Sequence, residues 1–348
     1  MSARGTLSTY SLENFRQQEG ELIDVRSPIE YKKGHWPGAI NIPLFSDKER
    51  EKVGTIYKRQ GREAALLIGL RFTNEKLQDL ISTLNSLTSS TEGQRKPKII
   101  KFYCWRGGMR SNSLAWLSKT IGIDSIVLKD GYKAYRKWVL NQFETCWPIR
   151  ILGGKTGTGK TELLMSLKDE GLAIIDLEGL ANHRGSSFGG LGRPEQPTNQ
   201  NFENLIAENL DQVKHFSNKG IWIEDESSNL GKCSVPKCLF DQMKKAPLFE
   251  IMTSKEERVK RLVNIYSTNS RAELKEATLR IRKRIGEERT KRALDAIQKE
   301  NWSDACTEII NYYDKCYEYS LKNNPARRGI NITGLNTNQA MTKILNEL

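Results

Sequence analysis

The sequence predicts an α/β protein of two consecutive domains, residues 1–145 and 146–348, each built on a parallel sheet, with a basic helical C-terminal region from about residue 251. Three observations predict it. The chain has 348 residues, more than one core of the commonest size takes. Twice, at residues 99–111 and 149–168, a short apolar run leads straight into a glycine-rich turn and then a helical pattern. That is the strand-loop-helix order of a parallel α/β sheet. Between the two, Cys146-Trp147-Pro148 reads as a connector.

Composition narrows the function. With 37% hydrophobic and 28% charged residues the chain reads as soluble and globular, and no apolar run is long enough to cross a bilayer. The start, residues 1–15, is polar and lacks the basic-apolar-small order of a secretory signal, so the expected compartment is the cytoplasm. Six cysteines, Cys104, Cys146, Cys233, Cys238, Cys306 and Cys316, are scattered without a framework spacing and read as reduced thiols. Cys233 and Cys238 have no second Cys or His pair nearby, and no structural metal is predicted. A net charge of +13 and a pI near 9.4 point to a polyanionic partner, nucleic acid first, although a basic surface can also serve solubility alone.

In the first half, residues 21–25 form a short strand candidate ending in Asp24-Val25-Arg26. Gly34-His35-Trp36-Pro37-Gly38-Ala39 supplies a turn before Ile40-Asn41-Ile42-Pro43. Asp24 and Arg26 are expected to pair and hold the strand end. The next strand candidate, residues 99–103, runs into Cys104-Trp105-Arg106-Gly107-Gly108-Met109-Arg110-Ser111, with Leu114, Leu117 and Ser118 on a following helix. A cysteine at such a turn sits beside inward amides and an electropositive helix N-terminus, which stabilise a thiolate or a bound oxyanion. Arg106 and Arg110 are expected to add to that field, and Gly107 and Gly108 to supply positive φ. The plain alternative is a buried, inert cysteine. Cys104 followed six residues later by Arg110 suits chalcogen transfer and thiol phosphatase chemistry alike.

In the second half, residues 149–152 meet Gly154-Lys155-Thr156-Gly157-Thr158-Gly159-Lys160-Thr161 and a helical stretch, a complete Walker A motif in its required context. Gly154, Gly157, Thr158 and Gly159 let the backbone wrap a pyrophosphate, Lys160 supplies a point charge, and Thr161 offers a hydroxyl to magnesium. Residues 176–190 read as a functional loop in which His183, Arg184 and Ser186 are candidates for binding a phosphorylated ligand. Phe202, Leu205, Ile206, Leu210, Val213 and Phe216 form an apolar helical stripe, read as core, before a strand at residues 221–223. At that strand's end Glu224 and Asp225 are the candidate magnesium-associated acids. Farther on, Arg280, Arg282, Lys283, Arg284, Arg289, Lys291 and Arg292 crowd a segment of high helical propensity broken only by Gly286. They are the candidate phosphate contacts to a nucleic acid, with Glu273, Glu276, Glu287 and Glu288 spaced to pair with them instead.

The Asp-Val-Arg strand end, Glu30-Tyr31, the Gly-His-x-Pro-Gly-Ala turn, Asn-x-Pro, Gly107 and a Lys129-Asp130-Gly131-Tyr132 ending with Trp138 resemble the rhodanese superfamily. Gly107, three after Cys104, favours chalcogen transfer over phosphatase chemistry. Joined to an NTPase-like P-loop domain and to Asp176-Leu177-Glu178-Gly179-Leu180-Ala181-Asn182-His183-Arg184-Gly185-Ser186, the pattern is similar to the bacterial tRNA 2-selenouridine synthases across residues 20–230.

That resemblance implies replacement of sulfur by selenium in wobble 2-thiouridine of tRNA. Selenophosphate and geranyl diphosphate are the implied co-substrates, with an S-geranyl intermediate. It further implies magnesium, a P-loop that need not use ATP, and a selenophosphate-supplying enzyme as partner. Two other readings stay open at this point: a nucleotide-dependent RNA sulfurtransferase, and a small-molecule kinase fused to a rhodanese-like module.

Overall fold

Runs of β-branched and aromatic residues, each followed by a helix that must pack back on them, force parallel pairing, because a crossover helix returns the chain to the same sheet edge. In the computed structural model, which describes residues 8–88, 99–321 and 327–347, this happens twice. The chain divides into two compact units between Asn141 and Gln142. The polar start and the C-terminal region read from the sequence lie partly outside the described residues.

The first unit carries β1 (Ser8–Tyr10), β2 (Glu21–Asp24), β3 (Ile40–Asn41), β4 (Ile100–Tyr103) and β5 (Ser125–Leu128). They pair in parallel in the order β1-β5-β4-β2-β3. Ile23, Phe102 and Val127 are fully buried, as expected of strands covered on both faces. Central β4 feeds the Cys104 loop and then the helix Met109–Thr120. Asp24, at the end of β2, is fully buried and accepts from the Arg26 guanidinium at 2.5–3.0 Å. Arg26 also donates to the Gly34 carbonyl at 2.7 Å and lies 3.8 Å over the Tyr132 ring. The pair therefore ties the strand end to the turn before β3 and to the segment after β5.

The second unit carries β6 (Ile149–Gly153), β7 (Ala173–Ile175), β8 (Ile221–Glu224), a small antiparallel ribbon of β9 (Asn229–Leu230) and β10 (Cys233–Ser234), β11 (Leu248–Met252) and β12 (Arg327–Asn331). The parallel sheet runs β12-β11-β6-β8-β7, so β6, the strand before the phosphate loop, is central with β8 beside it. Ligands of open α/β sheets gather at the C-terminal ends of such central strands. Helices Lys255–Tyr266, Arg271–Arg280, Arg282–Ile285, Glu287–Gln298 and Trp302–Leu321 follow β11, and Leu274, Ile281, Ile297 and Ala305 form their shared core.

Two expectations are corrected. The stripe that includes Phe202 folds as the helix Asn199–Val213 with Phe202, Ile206 and Leu210 buried, but Phe216 is 66% exposed. The chain tightens to a 3-10 helix at Lys214–Lys219, and three residues per turn rotate Phe216 off the buried face. The basic segment is broken at Ile281 as well as at Gly286.

Removing one partner of a buried ion pair strands the other charge. Arg26→Met should therefore cost about 3–5 kcal/mol, seen as a lower urea midpoint, and adding Asp24→Asn should recover part of the loss. An unchanged midpoint in the single variant would contradict the buried pair.

Candidate functional site

The first candidate site is the turn after β4. Cys104 is 4% exposed, and its Sγ receives the Gly108 N–H at 3.3 Å. The Ser111 hydroxyl lies 3.3 Å from Sγ and 3.0 Å from the Gly108 carbonyl. Its single proton can serve the carbonyl beside a thiol and swing to the sulfur beside a thiolate. The N-terminus of Met109–Thr120 stands directly behind, so the sulfur faces an electropositive cradle of N–H and O–H donors.

Gly107 adopts φ +59°, as expected, whereas Gly108 has φ −104°. Gly108 contributes its N–H, which any residue but proline also carries, and it does not take a left-handed backbone. A second glycine, Gly131 at φ +55°, passes so close that a Cβ would overlap the Cys104 carbonyl oxygen. Arg110 donates to Glu30 at 2.6 and 3.3 Å, and this pairing, after burial has acted in the opposite sense, holds the Glu30 carboxyl below its usual range. Arg110 thus braces the loop with its charge shared, while Arg106 and Trp105 are exposed at the rim.

The second candidate site lies at the ends of β6, β7 and β8. Gly154, Gly157 and Gly159 all take positive φ, and the loop closes on the buried Thr158 hydroxyl donating to the Lys155 carbonyl at 2.9 Å. Lys160 donates to the Gly154 carbonyl at 3.0 Å, which keeps its ammonium across the loop mouth. A cleft of about 760 Å³ opens there, lined among others by Lys160, Thr161, Arg184, Ser186, Arg193 and Arg261. Arg193 and Arg261 are absent from the sequence expectations. Arg261 donates to the Gly157 carbonyl at 2.9 Å and sits 3.3 Å from Glu162. Among the described residues the Nε of Arg193 is buried without a hydrogen-bond partner.

Glu178, Glu224 and Glu226 converge in this cleft, with one carboxylate oxygen of each within 4.8 Å of the others. The Thr161 hydroxyl donates to Glu178 at 3.3 Å and also faces the buried carboxylate of Glu224. Burial first, then the charge of Glu226, pushes Glu178 up to about 8. Burial and then Glu178 push Glu224 up to about 8, and burial raises Glu226 to about 7 despite Lys160. Crowded carboxylates next to a hydroxyl form a hard oxygen donor set that fits a divalent cation.

Of the two acids named from the sequence, Glu224 belongs to this cluster. Asp225 stands outside the trio, next to Tyr317, although it lines the same cleft. The alternation of side chains along a strand pairs Glu224 with Glu226, two residues on, and that signal was available in the sequence.

The loop at residues 183–190 borders the cleft. Arg184 donates to the Leu191 carbonyl at 3.0 Å, and the Ser186 hydroxyl accepts from the Phe188 N–H at 3.2 Å and faces Tyr266. Burial, followed by the charge of Arg280, keeps the His183 imidazole below its usual range. Among the basic candidates, Arg280 pairs with Glu276, Arg282 with Glu287, and Arg292 with Glu288 and Glu308. Lys283, Arg289 and Lys291 have no ion pair among the described residues, and Lys283, Arg284 and Lys291 are exposed.

A carboxyl whose folded value is raised stabilises the fold below its ordinary value of 4.5, and that contribution is lost as pH rises through 7 to 8. In chelator, the thermal midpoint of the natural chain should therefore fall more steeply between pH 6 and pH 8.5 than that of Glu224→Gln. Equal slopes would contradict the crowding of the three carboxylates.

Comparison with known proteins gives the family. Residues 147–346 match the tRNA 2-selenouridine synthase AAA domain, and residues 9–137 match the Rhodanese-like domain. A tRNA 2-selenouridine synthase of Hydrogenovibrio crunogenus is 36% identical over 333 residues, 86% of this chain and 89% of the relative. Those of Marinobacter nauticus and Shewanella denitrificans are 34% and 35% identical over 336 and 343 residues, covering 86% and 89% of this chain and 88% and 90% of their own lengths. With both halves matched in order and relatives above 30% identity along nearly the full length, the chain belongs to the tRNA 2-selenouridine synthase family.

Proposed function

We propose that this chain is a transferase that replaces the sulfur of wobble 2-thiouridine in tRNA by selenium, drawing selenium from selenophosphate after S-geranylation by geranyl diphosphate. The observation that carries the reading is the presence, in one chain of this family, of two separate anion-holding loops. One cradles the Cys104 sulfur, and the other is a P-loop facing an acid cluster.

The two loops divide the chemistry. In the first step, the sulfur of 2-thiouridine forms a bond to the allylic carbon of geranyl diphosphate as the carbon–oxygen bond breaks, and diphosphate leaves with the electron pair. The amides of residues 154–159, Lys160, Arg193 and Arg261 meet the growing negative charge of that leaving group. Glu178, Glu224, Glu226 and the Thr161 hydroxyl would hold magnesium, which neutralises the departing charge. ATP is not required. In the second step the selenium of selenophosphate forms a bond to C2 of the uridine as the C2–S bond breaks and geranylthiolate leaves with the electron pair. Water then takes the phosphoryl group from selenium as phosphate, and the Cys104 loop, with the Gly108 N–H and the Ser111 hydroxyl, holds the selenium at that carbon.

Lys283, Arg284, Arg289 and Lys291 offer the tRNA backbone cations, and Arg280, Arg282 and Arg292 can exchange their glutamates for phosphates at low salt. Use of selenophosphate makes a selenophosphate-supplying enzyme a functional partner, and the compartment proposed is the cytoplasm. No helix among the described residues is long and apolar enough to cross a membrane.

The test is mass spectrometry of nucleosides from 2-thiouridine tRNA incubated with the protein, magnesium and geranyl diphosphate, with and without selenophosphate. A geranyl-thio nucleoside that becomes 2-selenouridine on adding selenophosphate supports the reading. Unchanged 2-thiouridine in both samples would instead favour a nucleotide-dependent sulfurtransferase. Lys160→Ala should slow geranylation by about 100-fold or more, the scale for losing one donor to a developing charge, which quenched time courses with geranyl diphosphate alone would register.

A further inference from the structure

Directly beside the phosphate cleft the helical region leaves a narrow apolar slot. Its walls are Phe188, Leu262, Leu274, Trp302, Ala305 and Ile309, drawn from the loop at residues 183–190 and from helices Lys255–Tyr266, Arg271–Arg280 and Trp302–Leu321. The slot and the cleft share Thr156 of the P-loop, Ser186, Leu262, Tyr266 and Tyr313. A ligand whose phosphates lie on the P-loop amides can therefore continue into the slot past Thr156. The surface it meets is almost wholly carbon. Burial holds the Cys306 thiol up at about 11, so it remains a neutral, weakly polar wall at physiological pH. A nucleoside base and ribose in that position would lose their hydrogen bonds to water and find few replacements. A short branched hydrocarbon loses nothing by the same transfer and gains with each carbon covered.

We propose that the slot bounded by Phe188, Leu262, Leu274, Trp302 and Ala305 binds the hydrocarbon tail of the prenyl diphosphate donor and sets the chain length the protein accepts. This deepens the proposed function and rests on its claim that the P-loop holds a prenyl diphosphate. Ala305, on the wall of the slot and 4% exposed, controls its free width, and Trp302 is the bulkiest side chain lining it.

The test is calorimetric titration of the full chain with magnesium and inorganic diphosphate, dimethylallyl, geranyl or farnesyl diphosphate. The natural chain should bind geranyl diphosphate at least about tenfold more tightly than inorganic diphosphate. Ala305→Leu, which narrows the slot, should weaken geranyl diphosphate by about tenfold, leave inorganic diphosphate unchanged and move the preference toward dimethylallyl. Trp302→Ala, which widens the slot, should move it toward farnesyl. Opposite shifts at constant inorganic diphosphate affinity cannot come from a folding defect. Equal affinities for geranyl and inorganic diphosphate, or variants that change all four ligands alike, would overturn the slot while leaving the P-loop reading standing. Failure of the natural chain to bind any of the four would overturn the reading itself, and the slot with it.

Discussion

The second unit depends on one buried cation. Arg258, 4% exposed, donates to both oxygens of Asp314 at 2.5 and 2.9 Å and to the Thr156 carbonyl of the phosphate loop at 2.9 Å. A guanidinium is tolerated at that depth only when its charge and its forked donors are matched, and here the match joins three segments distant in sequence. The helix carrying Arg258, the helix carrying Asp314 and the P-loop are thereby fixed against one another. The approach is close enough that a Cβ on Gly157 would stand 2.9 Å from the Arg258 carbonyl oxygen, so glycine serves helix packing there as much as phosphate access. The cleft and the apolar slot both lie along this seam, which makes the C-terminal helices part of the phosphate site and not an appendage to it.

The two units solve one physical problem in parallel ways. Each places a loop at the C-terminal end of a central parallel strand, bends it with glycines at positive φ, and backs it with a helix N-terminus that favours negative charge. What differs is the atom presented. In the first unit the loop presents the protein's own sulfur to the Gly108 N–H and the Ser111 hydroxyl. In the second, the loop is open, its lysine lies across the mouth, and the anion must arrive with a ligand. A reaction that needs both a stabilised chalcogen anion and an anionic leaving group has use for each.

Local patterns were legible and convergent ones were not. The strand-loop-helix segments around Cys104 and Lys160 are contiguous in sequence, and each residue type there answers a local need. The acid trio is different. Glu178 follows β7, whereas Glu224 ends β8 and Glu226 follows it, and only the pairing of those strands brings them within reach. Strand alternation could have chosen Glu226 over Asp225, but nothing local identifies Glu178. Arg258 and Arg261 escaped notice because the charge density that drew attention begins later, at Arg271, where half the cations are already paired with glutamates. Phe216 misled because a helical period continues on paper through residues where the chain tightens to a 3-10 turn. The Arg110 guanidinium, assigned to the thiolate field on spacing alone, is shared with Glu30, 80 residues away.

The central claim is that the two loops perform separable steps of one modification. The most direct measurement is a hand-over between crippled variants. Cys104→Ala would convert 2-thiouridine tRNA with geranyl diphosphate, and the purified tRNA would then pass to Lys160→Ala with selenophosphate. The account predicts geranyl-thio nucleoside after the first incubation and 2-selenouridine after the second, with neither variant completing the sequence alone. A first incubation that leaves 2-thiouridine untouched, or a second that cannot convert the geranylated tRNA while the natural chain can, would contradict the division of labour.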